Sequence, residues 1–221
     1  MIMFDLDGTL VDSARDLHAS VNDMLQVLGE PARPLENVKV WIGNGIDRLI
    51  HRSLTNSVEG EVELPLFEKA RNAFNQAYDR NNGVYATIYP GVIDTLNNLK
   101  NARIPLCCVT NKDERFTLSL LDRTGLADYF DLVVAGDTLE NRKPHPQPLL
   151  YAAQQQSVNP ADCVMVGDSM SDLKAGRASG FRVYCVSYGY SQGVVFDQLP
   201  IASQPDGIID DLTQLPFCQP D

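Results

Sequence analysis

Two aspartates separated by one residue follow the first apolar run of the chain, in Asp5-Leu6-Asp7-Gly8-Thr9. If residues 1–4 form a strand of a parallel sheet, these carboxylates lie at its carboxyl end, where α/β sheets bind ligands. Two carboxylates in that position could hold a cation and aim a nucleophile, and Gly8 would let the backbone turn. The alternative interpretation is an acidic turn, because Asp and Gly are common turn residues.

Thr110 and Asn111 directly follow a second apolar run, which covers residues 104–109. The Thr hydroxyl and the Asn amide can each donate a hydrogen bond to an anion. The same residue types also cap helices without any ligand, so this segment alone does not decide between the two interpretations.

Asp168 and Asp172 follow a third apolar run, at residues 163–166. Ser169 and Asp172 match the Ser-x-x-Asp capping box, which explains Asp172 without a ligand, whereas Asp168 lies at the strand end itself. Lys143 stands in Arg142-Lys143-Pro144-His145-Pro146. Its compact charge suits a phosphate or a carboxylate cluster, and a solvated basic loop is the alternative.

The combination of these segments favours chemistry over the separate structural explanations. In a parallel sheet Asp5, Asp7, Asp168 and Asp172 converge, and two like charges about 4 Å apart repel by roughly 4 kcal/mol at an effective dielectric constant near 20. Four such groups need a cation, and oxygen ligands at a phosphate site favour Mg²⁺ over zinc. With Lys143 as a further positive charge, the set predicts a phosphoryl-transfer site.

Short apolar runs that alternate with helical patterns position these side chains. This alternation predicts an α/β fold, with a parallel sheet and helices on both faces. The predicted strands are residues 1–4, 104–109, 132–135, 163–166, 183–186 and, more weakly, 207–209, with helical patterns at 92–99, 116–120, 149–153 and 173–178.

Residues 14–85 interrupt the alternation with helical spacing and no strand-like run. We therefore predict an α/β catalytic core formed by residues 1–13 and 86–221, and a helical insertion formed by residues 14–85. Hinges are expected near residues 12–13 and 86–90. Three helices are expected in the insertion, from the apolar sets Leu17, Val21, Met24, Leu25 and Leu28; Ile46, Leu49, Ile50 and Leu54; and Leu66, Ala70, Phe74, Ala77 and Tyr78.

Composition excludes several classes of protein. The 221 residues include 44% hydrophobic and 21% charged side chains, which is ordinary for a globular chain, and the net charge of −11 argues against a nucleic-acid or membrane partner. No signal peptide or membrane-spanning run is evident, so we expect a cytoplasmic protein. The five cysteines include no Cys-x-x-Cys pair, and Cys107, Cys108, Cys163 and Cys185 are expected to be buried, reduced thiols.

The four segments, in this order and with a helical insertion after the first, resemble the haloacid dehalogenase superfamily of phosphatases over the whole chain. The resemblance implies a Rossmann-like core with an α-helical cap domain inserted. It implies that Asp5 is the nucleophile that forms an aspartyl-phosphate, and that Asp7 is the general acid and base. It also implies that Thr110, Asn111 and Lys143 bind the phosphoryl oxygens.

The same resemblance implies how Mg²⁺ is bound. The ligands would be the Asp5 carboxylate, the Asp7 backbone carbonyl and Asp168, with Asp172 supporting the ion through water or a more distant contact. Dehalogenase members of the superfamily lack an aspartate at the position of Asp7, so its presence argues for phosphate ester chemistry, in which the leaving alkoxide needs a proton.

Residues 136–149, together with Trp41-Ile42-Gly43-Asn44-Gly45, resemble the bacterial phosphoglycolate phosphatases most closely. This implies hydrolysis of 2-phosphoglycolate, a small phosphorylated metabolite, with no protein partner evident. Gly43 and Asn44 precede the second predicted cap helix, so their backbone N–H groups could bind the substrate carboxylate, with Arg48 and His18 as other candidates. Trp41 is expected in the core of the cap.

Several alternatives stay open. The chain could be a phosphatase that acts on sugar phosphates or nucleotides, or a phosphomutase of the β-phosphoglucomutase type. A catalytically silent module that binds Mg²⁺ and phosphate is also conceivable, although such a module would be expected to lack Asp5 or Asp7.

Overall fold

The computed structural model describes residues 1–191 and 193–216. Within these residues the strands are β1 Ile2–Phe4, β2 Val11–Asp12, β3 Thr87–Ile88, β4 Leu106–Val109, β5 Leu132–Val134, β6 Val164–Gly167, β7 Arg182–Val186 and β8 Gly207–Ile209. The α-helices are α1 Ala14–Leu28, α2 Leu35–Trp41, α3 Ile46–Thr55, α4 Leu64–Asn81, α5 Val92–Asn101, α6 Glu114–Thr124, α7 Gln147–Gln155 and α8 Met170–Ala178.

Six of the strands form a parallel sheet in the order β5-β4-β1-β6-β7-β8. The first strand therefore lies near the middle, where Phe4 pairs with Cys108 on one side and with Val166 on the other. This confirms the predicted α/β fold, and it brings the residues after β1, β4 and β6 to one edge of the sheet. The predicted strand at 104–109 begins two residues later, at Leu106, because the amide of Ile104 closes the end of α5 and Pro105 has no amide hydrogen to donate.

Alternate side chains of β1 enter two different apolar layers, as expected for a strand buried on both faces. Phe4 packs in a cluster with residues of α5 and α6, whereas Met3 packs in a cluster with residues of α7 and α8. Both sides of the central strand are thus covered by helices, which fixes the position of its carboxyl end.

The cysteines contribute to these layers. Cys107, Cys108, Cys163 and Cys185 are buried and free, as expected, and burial raises the pKa of the Cys107 thiol to about 12. The fifth cysteine, Cys218, lies outside the described residues. No helix in the described part of the chain has both the length and the apolar character needed to cross a bilayer.

Residues 14–81 form four helices, α1 to α4, around an apolar cluster that Phe116 and Tyr190 of the remaining chain also join. The prediction of three helices was wrong, because α2 is a separate seven-residue helix. Trp41, at its end, is buried in this cluster as expected. The Gly43–Gly45 loop consequently precedes the third of these helices, α3, and not the second.

A short antiparallel ribbon joins the entry and exit of the helical segment. β2 pairs with β3 through Val11 with Ile88 and Asp12 with Thr87. The ribbon coincides with the two expected hinge regions, and the division of the chain into a core and a cap at residues 13/14 and 85/86 stays a prediction.

Candidate active site

Three carboxylates from two distant parts of the sequence meet at the carboxyl edge of the sheet. Asp5 follows β1, Asp168 follows β6, and Asp172 lies in the first turn of α8. One oxygen of each lies within 4.8 Å of the others. Of the four carboxylates expected to converge at this edge, three form one cluster, and the fourth, Asp7, is not part of it.

Gly8 allows the first loop to approach this cluster. Its φ angle of +87° suits glycine, as expected for the turn after Asp7. A Cβ atom placed on Gly8 would lie 2.2 Å from Oδ2 of Asp168. Any other residue here would push the first loop away from the carboxylate at the end of β6.

Lys143 supplies the positive charge inside the cluster. Its side chain is buried, and Nζ lies 2.6 Å from Oδ1 of Asp172 and 3.0 Å from Oδ1 of Asp5. It also donates to the carbonyl oxygen of Val109 at 2.6 Å. Burial lowers the pKa of Lys143, but the charges of Asp172 and Asp5 outweigh this effect and raise it, so the amine stays protonated.

The remaining negative charge is poorly compensated by protein groups. Burial, partly offset by Lys143 and reinforced by Asp172, raises the pKa of Asp5 to about 6. Burial, with the charges of Asp5 and Asp172, also raises the pKa of Asp168 well above its ordinary value. Three carboxylates facing one ammonium group leave two negative charges, and a divalent cation with a preference for oxygen ligands balances them. The donor set therefore fits Mg²⁺.

Asp172 is held on both of its oxygens. Oδ1 faces Lys143, while Oδ2 accepts hydrogen bonds from the backbone amide and hydroxyl of Ser169 at 3.0 and 2.6 Å. The capping box expected from Ser169 and Asp172 is present. Asp172 thus anchors α8 and Lys143 at the same time, an arrangement that suits a supporting role.

Asp7 lies beside the cluster and has partners of its own. It accepts a hydrogen bond from the Ser13 hydroxyl and faces Nζ of Lys112 at 3.1 and 3.2 Å. Lys112 is buried, contacts the Tyr78 hydroxyl and lies 4.6 Å from the centre of that ring. Sequence reasoning missed Lys112, although its position directly after Thr110 and Asn111 was an available signal.

Thr110 and Asn111 follow β4 and line the same pocket as Asp5 and Asp7. The side-chain nitrogen of Asn111 donates to the carbonyl oxygen of Lys143 at 2.8 Å, so this amide positions the Lys143 loop. The Thr110 hydroxyl accepts a hydrogen bond from the amide of Lys112 at 3.3 Å.

Tyr190 is a further residue that sequence reasoning missed. Its backbone N–H donates to Oδ2 of Asp168, and its hydroxyl donates to Asp12 and accepts from the amide of Ala14 at 2.9 Å. It therefore connects a carboxylate of the cluster to the segment that enters α1. It acts partly through its main chain, which no residue pattern reveals.

A pocket opens over the cluster, between the sheet edge and the helical segment. Gly43 and Gly45 line it, whereas the side chain of Asn44 accepts from Arg52 at 3.0 Å and donates to Ser171 at 3.5 Å. The other pocket-lining residues of the helical segment are apolar. They are Leu17, Ile42, Ile46 and Leu49.

These features agree with a comparison against known families. A family model described as haloacid dehalogenase-like hydrolase matches residues 2–186. The chain belongs to this family. The resemblance to it in the sequence is thereby confirmed.

Curated relatives of this haloacid dehalogenase-like hydrolase carry a common name. A phosphoglycolate phosphatase of Nitrosococcus oceani is 45% identical over 215 residues, covering 97% of this chain and 94% of the relative. One from Nitrosospira multiformis is 46% identical over 192 residues, covering 87% and 85%. Together with the family, they confirm the prediction of a phosphoric monoester hydrolase.

A solved structure shows the same architecture. The predicted phosphoglycolate phosphatase of Haemophilus somnus superposes with a TM-score of 0.86 at 35% identity, over 96% of this chain and 94% of that one. The resemblance to the bacterial phosphoglycolate phosphatases therefore extends from the motifs to the whole fold.

Proposed function

We propose that this phosphatase is Mg²⁺-dependent and converts 2-phosphoglycolate to glycolate and phosphate through an aspartyl-phosphate on Asp5. The observation that supports the reaction best is the cluster of Asp5, Asp168 and Asp172 around the buried amine of Lys143. It combines a nucleophile, a place for a divalent cation and a fixed positive charge, which together suit phosphoryl transfer.

The first step forms a bond between an Asp5 carboxylate oxygen and phosphorus and breaks the bond from phosphorus to the ester oxygen. Asp7 gives a proton to the leaving oxygen, and then takes one from the water that attacks the aspartyl-phosphate. The second step releases phosphate and restores Asp5. Splitting hydrolysis into two displacements follows the general logic of covalent catalysis.

The neighbouring side chains position the phosphoryl group and the Asp7 carboxylate. Lys143, Thr110 and Asn111 face the phosphoryl oxygens, and Lys112 with Ser13 orients the Asp7 carboxylate. Mg²⁺, when bound by Asp5, Asp168 and the backbone carbonyl of Asp7, with Asp172 in support, would neutralise charge on the phosphoryl group.

The substrate is assigned from the relatives and from the pocket. The relatives named above are phosphoglycolate phosphatases. We propose that residues 14–85 act as a cap over a core of residues 1–13 and 86–221, and that the Gly43–Gly45 loop meets the end of the substrate opposite the phosphate. The buried free thiols fit a reducing compartment, which supports a cytoplasmic location.

Steady-state kinetics on a panel of phosphomonoesters tests the proposal. With Mg²⁺ present, 2-phosphoglycolate should have a higher kcat/KM than sugar phosphates and nucleoside monophosphates, and phosphate should be released stoichiometrically. A preference for a sugar phosphate would replace the assigned substrate, and isomer interconversion with little phosphate release would identify a mutase. Binding of phosphate without turnover of any ester would identify a silent module.

A further inference from the structure

Most of the cations around the pocket are already paired. Lys143 and Lys112 face carboxylates of the site, as described above. Arg48, a sequence candidate for carboxylate binding, pairs with Glu59 at 3.0 Å and Glu61 at 3.1 Å, while His18 is hydrogen-bonded to the backbone carbonyl of Arg33 at 3.0 Å.

Two other arginines of the helical segment are occupied as well. Arg52 donates to the carbonyl oxygens of Trp41 at 2.8 Å and Val58 at 2.9 Å, in addition to Asn44. Arg71 pairs with Asp113 at 2.5 Å and also with Asp47.

Arg142 differs from all of these residues. Within residues 1–191 and 193–216 its guanidinium group makes no hydrogen bond or ion pair, although it lies directly before Lys143 and is half-buried. The nearby charge of Asp113 is already paired with Arg71. A cation in this position is available for a ligand.

The position of Arg142 is given by its contact with Gly45. A Cβ atom placed on Gly45 would lie 2.6 Å from Nη1 of Arg142 and 3.7 Å from the backbone oxygen of Asn111. Gly45 and Asn111 both line the pocket that contains Asp5. The guanidinium group therefore lies where the Gly43–Gly45 loop meets the sheet edge, on the border of the pocket.

Gly45 is suited to this contact for two reasons. Its φ angle of +86° is one that glycine adopts readily, and a larger residue would occupy the space of Nη1. The loop thus leaves room for the guanidinium group beside a pocket wall whose other side chains are apolar.

We propose that Arg142 binds the carboxylate of the substrate and so determines the preference for phosphomonoesters that carry a carboxylate. This inference rests on the proposed function. A guanidinium group can donate two parallel hydrogen bonds to a carboxylate, and a substrate with a single carbon between its ester oxygen and its carboxylate must place both charged ends in one small pocket. Lys143 binds the phosphoryl group of this substrate, and Arg142 binds its carboxylate.

The experiment compares two substrates that differ in the carboxylate alone. Arg142→Gln should lower kcat/KM for 2-phosphoglycolate by roughly 30- to 100-fold, because it removes charged hydrogen bonds, and mainly by raising KM. It should change kcat/KM for ethyl phosphate by less than about threefold, since that ester has no carboxylate to bind. Arg142→Lys should retain part of the preference, because it keeps the charge and loses the paired geometry.

Two further variants separate a binding role from a structural one. Arg80→Gln, which removes an exposed arginine that contacts Asp23 and the carbonyl oxygen of Gln76, should leave the turnover of both substrates unaffected. Gly45→Ala, which displaces Nη1, should reduce the preference for 2-phosphoglycolate while Arg142 is still present.

The outcomes that overturn the inference are distinct from those that overturn the proposed function. An equal loss on both substrates in Arg142→Gln, or an undiminished preference, would refute the role of Arg142 alone. A wild-type enzyme that does not favour 2-phosphoglycolate over ethyl phosphate would contradict the proposed function and, with it, the assigned ligand.

Discussion

The two walls of the pocket are built by opposite means. The wall at the sheet edge consists of charged and polar side chains, and its lysine, Lys112, faces the Asp7 carboxylate. The wall from the helical segment consists of apolar side chains and a glycine-containing loop. Charge is therefore concentrated where we propose that the phosphoryl group binds, whereas the opposite wall contributes apolar surface that would exclude water.

The two walls therefore contribute differently to the stability of the fold. Buried like charges destabilise a fold unless ligands or counter-ions compensate them, so the sheet edge combines function with a stability cost. The helical wall, by comparison, gains stability from its packing. Changes at the sheet edge should alter activity and stability independently, whereas changes in the apolar side chains of the helical wall should mainly alter stability.

The largest effect is expected for Asp5→Asn. Turnover of 2-phosphoglycolate should fall by about 10³-fold or more, because the proposed nucleophile is lost. The free energy of unfolding of the metal-free protein should not fall, since burial already disfavours the Asp5 carboxylate. Phosphate release and urea unfolding measure the two quantities, with Asp94→Asn on the exposed face of α5 as the control. Near-wild-type turnover would refute the covalent mechanism.

Lys143→Met should destabilise the protein strongly. It leaves Asp5 and Asp172 buried without their shared partner, which costs about 3–5 kcal/mol in comparable cases. Urea unfolding measures the loss, and Lys69→Met, at an exposed position of α4, serves as the control. A loss below about 1 kcal/mol, the range of exposed pairs, would mean that the charges of the cluster are compensated elsewhere.

Mg²⁺ should stabilise the chelator-treated protein, and more at pH 7.5 than at pH 5. The folded-state pKa of Asp5, about 6, lies above its ordinary value of 3.8. The folded protein therefore binds more protons than the unfolded chain between these values, and metal-free stability falls as pH rises through this window. Mg²⁺ must displace those protons, so its binding weakens at low pH.

The size of this stabilisation follows from mass action. At a Mg²⁺ concentration of 100 times Kd it is about 2.7 kcal/mol, which corresponds to roughly 5–11 °C in Tm for a chain of this size. Thermal unfolding at the two pH values measures it. Equal stabilisation at pH 5 and pH 7.5, or persistence of the effect in Asp168→Asn, would argue against the carboxylate cluster as the binding site.

Lys112→Met should lower kcat for 2-phosphoglycolate by about 10- to 100-fold, a fraction of what general acid–base catalysis contributes. The variant leaves Asp7 with the Ser13 hydroxyl as its remaining side-chain partner in the described part of the chain. Tyr78→Phe, which removes only the hydroxyl that contacts Lys112, should have a smaller effect. An unchanged kcat in Lys112→Met would show that Ser13 alone orients Asp7.

The smallest effect is expected in the helical wall. Ile46→Val should cost about 0.5–1.5 kcal/mol of stability and leave turnover close to wild type. Thr110→Val, a change of similar size at the sheet edge, should instead lower turnover, because it replaces a hydroxyl that faces the pocket. If the two variants lost activity equally, the distinction between the two walls would not hold.

The sheet edge was largely predictable from the sequence. Strand ends, acidic spacing and the lysine at position 143 together imply convergence, because parallel strands place their carboxyl ends at one edge. Lys112 could have been included among the predicted site residues, because it directly follows Thr110 and Asn111. Tyr190 could not, because it reaches Asp168 through its backbone from 22 residues away along the chain.

The helical wall was less predictable for physical reasons. The buried residues of α2 are Val38 and Trp41, and a single pair three residues apart does not establish a helical period. Arg142 was part of a recognised motif, but its contact with Gly45 depends on how the loop meets the sheet edge. Such contacts between distant segments leave no periodic signal in a sequence.

The central location of β1 has a consequence for biosynthesis. Its neighbours are β4 and β6, which begin more than 100 and more than 160 residues later. Closing such long loops is slow, since their contacts join distant parts of the chain. A nascent polypeptide that has emerged only as far as α7 therefore has Asp5, the proposed nucleophile, on a strand that lacks one of its two neighbours. We expect it to become active only after β6 and Asp168 have been translated.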